Sequence, residues 1–321
     1  MSEFTPLQGH DVARLLDYPG CIGAVRDAMI QFSTSDIAQP LREIYRVGDE
    51  SVFAMMPGIF DPSIGFGTKV ISVYDDPVLN KSIHSGVVVL FDRELGKVSH
   101  VADAHEVTKI RTGCASAVAT DVLARQDAKT LLLIGSGTQA ESHLLALAEV
   151  RSFSRVLIAG RNRARCEDFV ARMSKATGLS IEIAQDVQSA AAEADVICTL
   201  TTSANPVLLH QWVKPGTHIN VVGSSYDGPV EIDSALVKNS VFVVDSRDSA
   251  LAAAAEFKRA LQEGVVDENH IHAEIGEILI GKAPGRQNDA QITVYKSLGH
   301  ISQDLAAVSY IKRRMEAENS Q

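Results

Sequence analysis

The chain has 321 residues, of which 45% are apolar and 22% charged, a composition typical of a folded protein long enough for two domains. Its net charge of −10 argues against nucleic acids or anionic membranes as partners, since both require a basic surface. The sequence has neither a basic, apolar leader nor an apolar run of about 18 residues, so we expect a cytoplasmic protein that acts on small molecules.

The first 128 residues have the pattern of an α+β domain. They predict a helix around 11–32, strands at 52–56, 67–73 and 86–92, and a helical segment over 106–123.

From Lys129 to about Asp245, short apolar runs alternate with helical patterns. The runs cover 130–134, 156–159, 181–184, 196–200, 218–222 and 241–244. This rhythm predicts an α/β fold, a Rossmann-type doubly wound parallel sheet. A closing helix is predicted over 295–315, and we expect it to return to the first domain.

The run Leu131–Ile134 ends in Gly135-x-Gly137-x-x-Ala140, followed by a helical pattern. In such a strand-turn-helix, the first glycine permits the turn, the second allows a pyrophosphate close to the backbone, and the small third residue lets the helix pack on its strand. The sequence therefore predicts a dinucleotide site.

The second apolar run of this half ends in Gly160-Arg161-Asn162-Arg163-Ala-Arg165, about where a dinucleotide fold reads the adenosine ribose. An acidic residue there would favour NAD, whereas arginines favour the 2′-phosphate of NADP. A solvated basic turn is the alternative, and NAD remains a possible cofactor.

Three cations, Arg46, Lys69 and Arg111, stand in unusual sequence surroundings. Lys69 falls in a predicted strand, and Arg111 in an otherwise small and apolar helix entry. A buried cation needs an anion, so these side chains are candidates for holding a carboxylate. A surface ion pair is the alternative for each one.

Motifs along nearly the whole chain resemble the ornithine cyclodeaminase and mu-crystallin family. They are Met56-Pro57, Gly67-Thr-Lys69, His84-Ser-Gly86, Ile110-Arg111-Thr112, the glycine turn at 135–140, 195–201, 215–223, 231–233, Pro284-Gly-Arg286, Lys296-Ser-Leu-Gly299 and Asp304.

The resemblance implies a substrate-binding and dimerisation domain, 1–125 with 296–321, and an NAD(P)-binding Rossmann domain, 126–295, in a homodimer. It implies that Arg46, Lys69 and Arg111 hold the substrate's α-carboxylate, and His84 borders the same pocket. With the glycine and arginine turns, the predicted cofactor contacts are Thr112, Gly135, Ser136, Gly137, Thr138, Gln139, Ala140, Arg161, Asn162, Arg165, Thr201, Ser203, Val222, Gly223, Ser224, Lys296 and Gly299.

The reaction depends on the segment after Gly223. Ornithine cyclodeaminases carry an aspartate two residues on, where this chain has Ser225. Serine cannot pair with a distal ammonium or act as a carboxylate base, and mu-crystallin, a ketimine reductase, resembles the chain in having serine there. Asp227 lies two residues further along the chain and is a second candidate for this role. The catalytic candidates are therefore Lys69, Ser225 and Asp227.

We therefore expect NAD(P)H-dependent reduction of a cyclic ketimine acid, Δ1-pyrroline-2-carboxylate or Δ1-piperideine-2-carboxylate, to L-proline or L-pipecolate. The alternatives are a cyclodeaminase-type lyase, an alanine or opine-type amino-acid dehydrogenase, and a non-enzymatic binder. NADP(H) is the expected cofactor, NAD(H) the second choice. His270, His272, Glu274 and Glu277 have some metal-like spacing, but the resemblance implies an ordinary helix start there, so no metal is expected.

Overall fold

The computed structural model describes residues 6–36, 39–47, 51–76, 81–224 and 228–320, with the side chains of 75–76, 81–84 and 319 left undescribed. The chain divides into two compact units, Met1–Arg111 with His300–Gln321, and Thr112–Gly299. The domain boundaries at 125/126 and 295/296 stay predictions, and the first division of the structure, at 111/112, falls inside a helix.

The described elements are numbered in chain order. The helices are α1 (Gly9–Leu15), α2 (Tyr18–Thr34), α3 (Ala104–Leu123), α4 (Thr138–Ala148), α5 (Arg163–Thr177), α6 (Val187–Glu193), α7 (Ser234–Lys238), α8 (Arg247–Ala253), α9 (Ala255–Gln262), α10 (Ile275–Leu279) and α11 (Ile301–Asn319). The strands are β1 (Glu43–Arg46), β2 (Val52–Ile59), β3 (Phe66–Asp76), β4 (Lys81–Phe91), β5 (Val98–Asp103), β6 (Thr130–Ile134), β7 (Arg155–Ala159), β8 (Ile181–Ile183), β9 (Val196–Thr199), β10 (His218–Val221), β11 (Val241–Val244), β12 (Ile271–Glu274) and β13 (Thr293–Lys296).

In the first unit, β1 to β5 form an antiparallel sheet in sequence order, and α11 packs on one of its faces. Two glycines of the sheet let this helix come close. A Cβ on Gly58 would lie 2.7 Å from Ile301, and one on Gly67 would lie 3.0 Å from Leu305. This close approach brings the polar residues of α11 within reach of the strands.

The second unit contains an eight-stranded sheet in the order β12-β11-β13-β10-β9-β6-β7-β8, with every neighbouring pair parallel. The strands are short, apolar and almost wholly buried, as expected of a sheet covered on both faces. The predicted fold class is confirmed. In such sheets, ligands bind outside the carboxyl ends of the strands.

Two predicted helices differ from the structure. The helix predicted over 11–32 is two helices, because Asp17 caps α2 by accepting a hydrogen bond from the Gly20 amide at 2.8 Å. The closing helix begins at Ile301 rather than 295. Gly299 has a φ of 80°, which interrupts a helix, and the preceding residues form β13 in the parallel sheet.

The strands β1, β5, β12 and β13 were not predicted. All four residues of β1 are exposed, so its sequence carries no alternation of apolar and polar residues. Within the described part of the chain, no helix is both long and apolar enough to cross a membrane.

Candidate active site

Lys69 and Arg111 converge on one carboxylate in the first unit. Lys69 points from β3 towards α11, where its Nζ lies 3.0 Å from Asp304 Oδ1, and it also donates to Thr108 Oγ1 at 3.2 Å. Arg111 Nε lies 3.0 Å from the same Oδ1. Both cations are 3% exposed. Asp304, which the sequence marked only as part of a family motif, therefore bridges two of the predicted substrate-binding residues.

The charges of this cluster do not balance. Burial would raise the pKa of Asp304, but Arg111, Lys69 and Arg42 hold it below its usual value, so the carboxylate stays ionised. Its Oδ2 atom is buried without a hydrogen-bond donor among the described residues. Burial lowers the pKa of His300 to about 4, so this histidine is uncharged at neutral pH. The cluster therefore holds more positive than negative charge and suits an added anion.

Lys69 is the titratable cation of the cluster. Burial lowers its pKa to about 7, although Asp304 acts in the opposite direction. An ammonium group with this pKa can hold or release a proton at neutral pH, whereas a guanidinium cannot. Lys69 therefore combines binding of an anion with possible acid-base chemistry.

The third predicted cation is exposed, and another arginine acts electrostatically on the cluster. Arg46 is exposed at the end of β1. Arg42, just before this strand and only partly exposed, is among the charges that shift the pKa values of Lys69, His300 and Asp304. Arg42 is therefore a further candidate for the third member of the cluster, and the role predicted for Arg46 stays a prediction. No sequence signal marked Arg42, because β1, the strand that follows it, has no alternation of apolar and polar residues.

Three other predicted residues cannot be placed. Ser225 and Asp227 lie outside the described residues. His84 belongs to β4, but its side chain is not described. Their roles stay predictions.

The glycine turn of the second unit has the geometry that a dinucleotide requires. Gly135 has a φ of 120°, and a Cβ there would lie 2.6 Å from the Leu200 carbonyl oxygen. A Cβ on Gly137 would meet nothing within 4 Å. Gly137 is also the N-cap of α4 and provides no side-chain cap, so the first amides of the helix can bind a phosphate.

A crevice of about 640 Å3 opens at this turn. It is lined by Ser136, Gly137, Thr138, Glu141, Asn162, Ala164, Arg165, Asp168 and Arg172. Nearby, the side-chain oxygen of Gln139 is buried and has no donor among the described residues. Ala140 is buried and lets α4 pack closely. Three residues of the predicted turn, Ser136, Gly137 and Thr138, thus line a crevice at the start of α4.

The arginines around the crevice fall into two groups. Arg163 pairs with Glu167 at 3.0 Å, and Arg172 pairs with both Glu141 and Asp168. In the part of the chain that the structure describes, the guanidinium groups of Arg161 and Arg165 form no ion pair. Asn162 caps α5 by accepting a hydrogen bond from the Arg165 amide. Arg161 and Arg165 are therefore the arginines of this turn that remain available to an anion, and Arg165 lines the crevice.

The other predicted cofactor residues lie at or after the ends of β9, β10 and β13, except Thr112, which lies in α3. The Val222 amide donates to Thr199, the Ser203 amide to the Thr201 hydroxyl, and the Gly299 amide to Asp245, while Thr112 is 7% exposed. The Lys296 ammonium is fully buried against Ser224 and Glu256. Lys296 therefore cannot contact a cofactor directly in this conformation.

A model of the ornithine cyclodeaminase/mu-crystallin family matches residues 5–319. The chain belongs to this family. Among family relatives, the Δ1-pyrroline-2-carboxylate reductase of Bacillus cereus is 32% identical over 290 residues, 89% of each chain. The ketimine reductase mu-crystallin of Rattus norvegicus is 34% identical over 277 residues, 86% of this chain and 84% of that protein.

Two solved structures can be superposed on almost the whole chain. Thermococcus litoralis Δ1-pyrroline-2-carboxylate reductase in complex with NADH and L-proline has a TM-score of 0.92 and 31% identity, covering 98% of both chains. An archaeal alanine dehydrogenase dimer with bound NAD has a TM-score of 0.91 and 28% identity, covering 98% of this chain and 97% of the other. The predicted family is confirmed.

Proposed function

We propose that this protein reduces a cyclic ketimine acid, Δ1-pyrroline-2-carboxylate or its six-membered homologue, to the cyclic amino acid with NAD(P)H. The observation that carries the proposal is the cluster of Lys69 and Arg111 on Asp304, a buried site with excess positive charge that suits a carboxylate. The coarser class is the predicted one, an NAD(P)-dependent oxidoreductase acting on C=N bonds, and a nicotinamide dinucleotide is its cofactor.

In this mechanism, Arg111, Lys69 and Arg42 hold the substrate's carboxylate, and Asp304 fixes the first two cations. The glycine turn with Ser136, Gly137 and Thr138 would hold a nicotinamide dinucleotide, which would supply hydride for the imine carbon. An iminium accepts hydride far better than a neutral imine, so a proton must be held on the nitrogen. Lys69, with a pKa of about 7, can supply that proton, and Ser225 and Asp227 remain the other predicted partners.

The first test is oxidation of NADPH and NADH, followed by absorbance, with the two cyclic ketimines as substrates. Turnover with either ketimine supports the proposal. Release of ammonia from ornithine without net consumption of reduced cofactor would identify a cyclodeaminase instead. Reduction of pyruvate with ammonia, but of neither ketimine, would identify an alanine dehydrogenase.

Carboxylate binding should weaken as the pH rises. Lys69 is charged below a pKa of about 7 and neutral above it, so the cluster loses one positive charge between pH 6 and pH 9. We expect the affinity for L-proline, whose own charges do not change in this range, to fall about tenfold, or about 1.4 kcal/mol. Titration calorimetry measures it. Lys69→Met should bind weakly at every pH, and a flat wild-type profile would contradict the role given to Lys69.

We further propose that NADP(H) is preferred, with Arg161 and Arg165 holding the 2′-phosphate. Arg165→Ala should raise KM for NADPH about tenfold, the loss of a charge-assisted hydrogen bond of about 1.5 kcal/mol, and leave KM for NADH nearly unchanged. Arg163→Ala is the matched control, because Arg163 already pairs with Glu167. Equal changes with both cofactors would argue against this preference.

We also propose a homodimer formed through the first unit's sheet. The face opposite α11 carries apolar side chains where an antiparallel sheet usually has polar ones. Val70 lies beside Val87, and Val89 beside Val101. Val87 and nearby Tyr74 are 36% and 54% exposed. An apolar sheet face of this kind is typical of a surface that a second copy covers.

Val87→Lys should therefore convert the dimer into monomers, because it places a charge in the middle of the apolar face. Sedimentation velocity measures the change. Ile280→Lys serves as the control, since Ile280 is similarly exposed at 41% but belongs to the second unit. A Val87→Lys protein that remains dimeric would rule out this face as the interface.

A further inference from the structure

Three buried charged side chains lie together at one edge of the second unit's sheet. Lys296 is the last residue of β13, and its side chain is fully buried, as is that of Glu256. Glu231 is also fully buried. Strands β13, β10 and β9 are neighbours in the sheet, so this cluster connects the carboxyl ends of three adjacent strands.

Glu231 joins the ends of β9 and β10. One carboxylate oxygen accepts hydrogen bonds from the Thr201 amide at 2.6 Å and from the Thr201 hydroxyl at 2.8 Å. The other accepts from the Thr199 hydroxyl at 2.9 Å and the Gly223 amide at 2.7 Å. The segments after both strands are therefore fixed by a single carboxylate.

Lys296 and Glu256 extend this connection to β13. The Lys296 ammonium donates to the Ser224 hydroxyl at 2.6 Å and lies 3.1 Å from Glu256 Oε2. The other oxygen of Glu256 accepts hydrogen bonds from the Ser224 hydroxyl and, at 3.1 Å, from the Glu231 amide. The network thus holds the chain on both sides of 225–230.

This network lies at the strand ends where the nicotinamide half of a bound dinucleotide is expected. The glycine turn follows β6, and the arginines available to the 2′-phosphate flank the turn after β7. In the sheet, β9, β10 and β13 lie on the opposite side of β6 from β7. A dinucleotide that spans the carboxyl edge with its pyrophosphate at β6 therefore places its nicotinamide half over these three strand ends.

We propose that Lys296, Glu231 and Glu256 are positioning residues, which hold the backbone of Thr201, Gly223 and Ser224 in the shape that receives the nicotinamide half of the cofactor. They act through those residues and do not touch the cofactor. A buried ion pair is often no more stable than apolar side chains of similar volume, so its use here is to fix one geometry rather than to add stability. This proposal rests on the proposed dinucleotide site but not on the identity of the substrate.

The test compares the affinities of NADPH and of 2′-phospho-ADP-ribose, a fragment that lacks the nicotinamide, by titration calorimetry without any ketimine. The double variant Lys296→Met/Glu256→Gln removes both charges while keeping the side-chain volumes similar. We expect the fragment to bind as it does to the wild type, and NADPH to lose about tenfold in affinity. Lys296→Met alone should do the same at a lower Tm, because it leaves Glu256 without its cation.

Arg151→Met is the matched control. Arg151 is also buried and ion-paired, to Asp121 at 3.1 Å, but it precedes β7 and so lies at the amino edge of the sheet. This variant should lower Tm and leave the affinity ratio of NADPH to the fragment unchanged. A double variant that keeps the wild-type ratio of NADPH affinity to fragment affinity would overturn the proposal, whether both affinities stay the same or both fall equally. Because no ketimine is present, a wrong substrate assignment would not affect this result.

Discussion

Replacement of Arg111 by alanine is expected to lower kcat/KM for the cyclic ketimine by about a thousandfold, chiefly through KM. The guanidinium lies 3.0 Å from Asp304 and is 3% exposed, so it would meet a bound carboxylate out of contact with water. Removing one partner of such a buried charge pair costs about 4 kcal/mol, which corresponds to this factor. Steady-state kinetics with varied ketimine measures it.

Two other arginines, both before β2, provide comparisons for this prediction. Arg42→Ala should also raise KM, by about tenfold, because Arg42 acts electrostatically on Lys69 and Asp304. Arg46→Ala should change KM less than twofold, since Arg46 is exposed at the strand end. Melting curves distinguish loss of binding from loss of folding. An Arg111→Ala enzyme with nearly normal KM would remove the carboxylate cluster from the mechanism.

Replacement of Gly137 by valine should strongly weaken cofactor binding while leaving the fold intact. Gly137 has φ −91° and ψ −168°, which valine readily adopts, and a Cβ there meets no protein atom within 4 Å. The added side chain would fill the space that a pyrophosphate needs at the start of α4. We expect titration calorimetry to show that cofactor affinity falls about a hundredfold, or about 2.7 kcal/mol. The Tm should change by less than about 2 °C.

Gly135 serves as the comparison, because its replacement should also lower the Tm. Its φ of 120° and its 2.6 Å approach to the Leu200 carbonyl make Gly135→Ala strained, so this variant should lose both Tm and cofactor affinity. If Gly137→Val still binds NADPH with wild-type affinity, the turn is not a phosphate site.

Local sequence patterns were sufficient to predict a segment's structure where that structure depends on residues adjacent in the chain. The strands 130–134 and 241–244 have the predicted bounds, and the glycine turn has the predicted geometry, because its requirements are written in adjacent residues. Even the break between α1 and α2 was marked locally by Asp17 and Pro19. β13 could not be recognised in this way, since its four residues are a strand only because β10 and β11 lie on either side of it.

The sequence by itself determined the parallel sheet, the dinucleotide turn and two of the three cations that were selected as unusual. The tertiary structure decided which charges meet: Asp304, 193 residues beyond Arg111, binds both Lys69 and Arg111, and Arg42, which the sequence analysis did not select, acts electrostatically on this cluster. It also turned the Lys296 ammonium away from solvent and onto Ser224 and Glu256. A single sequence reports the kind of each charge, but a buried charge is defined by its partner, and that partner is set by the packing of distant elements.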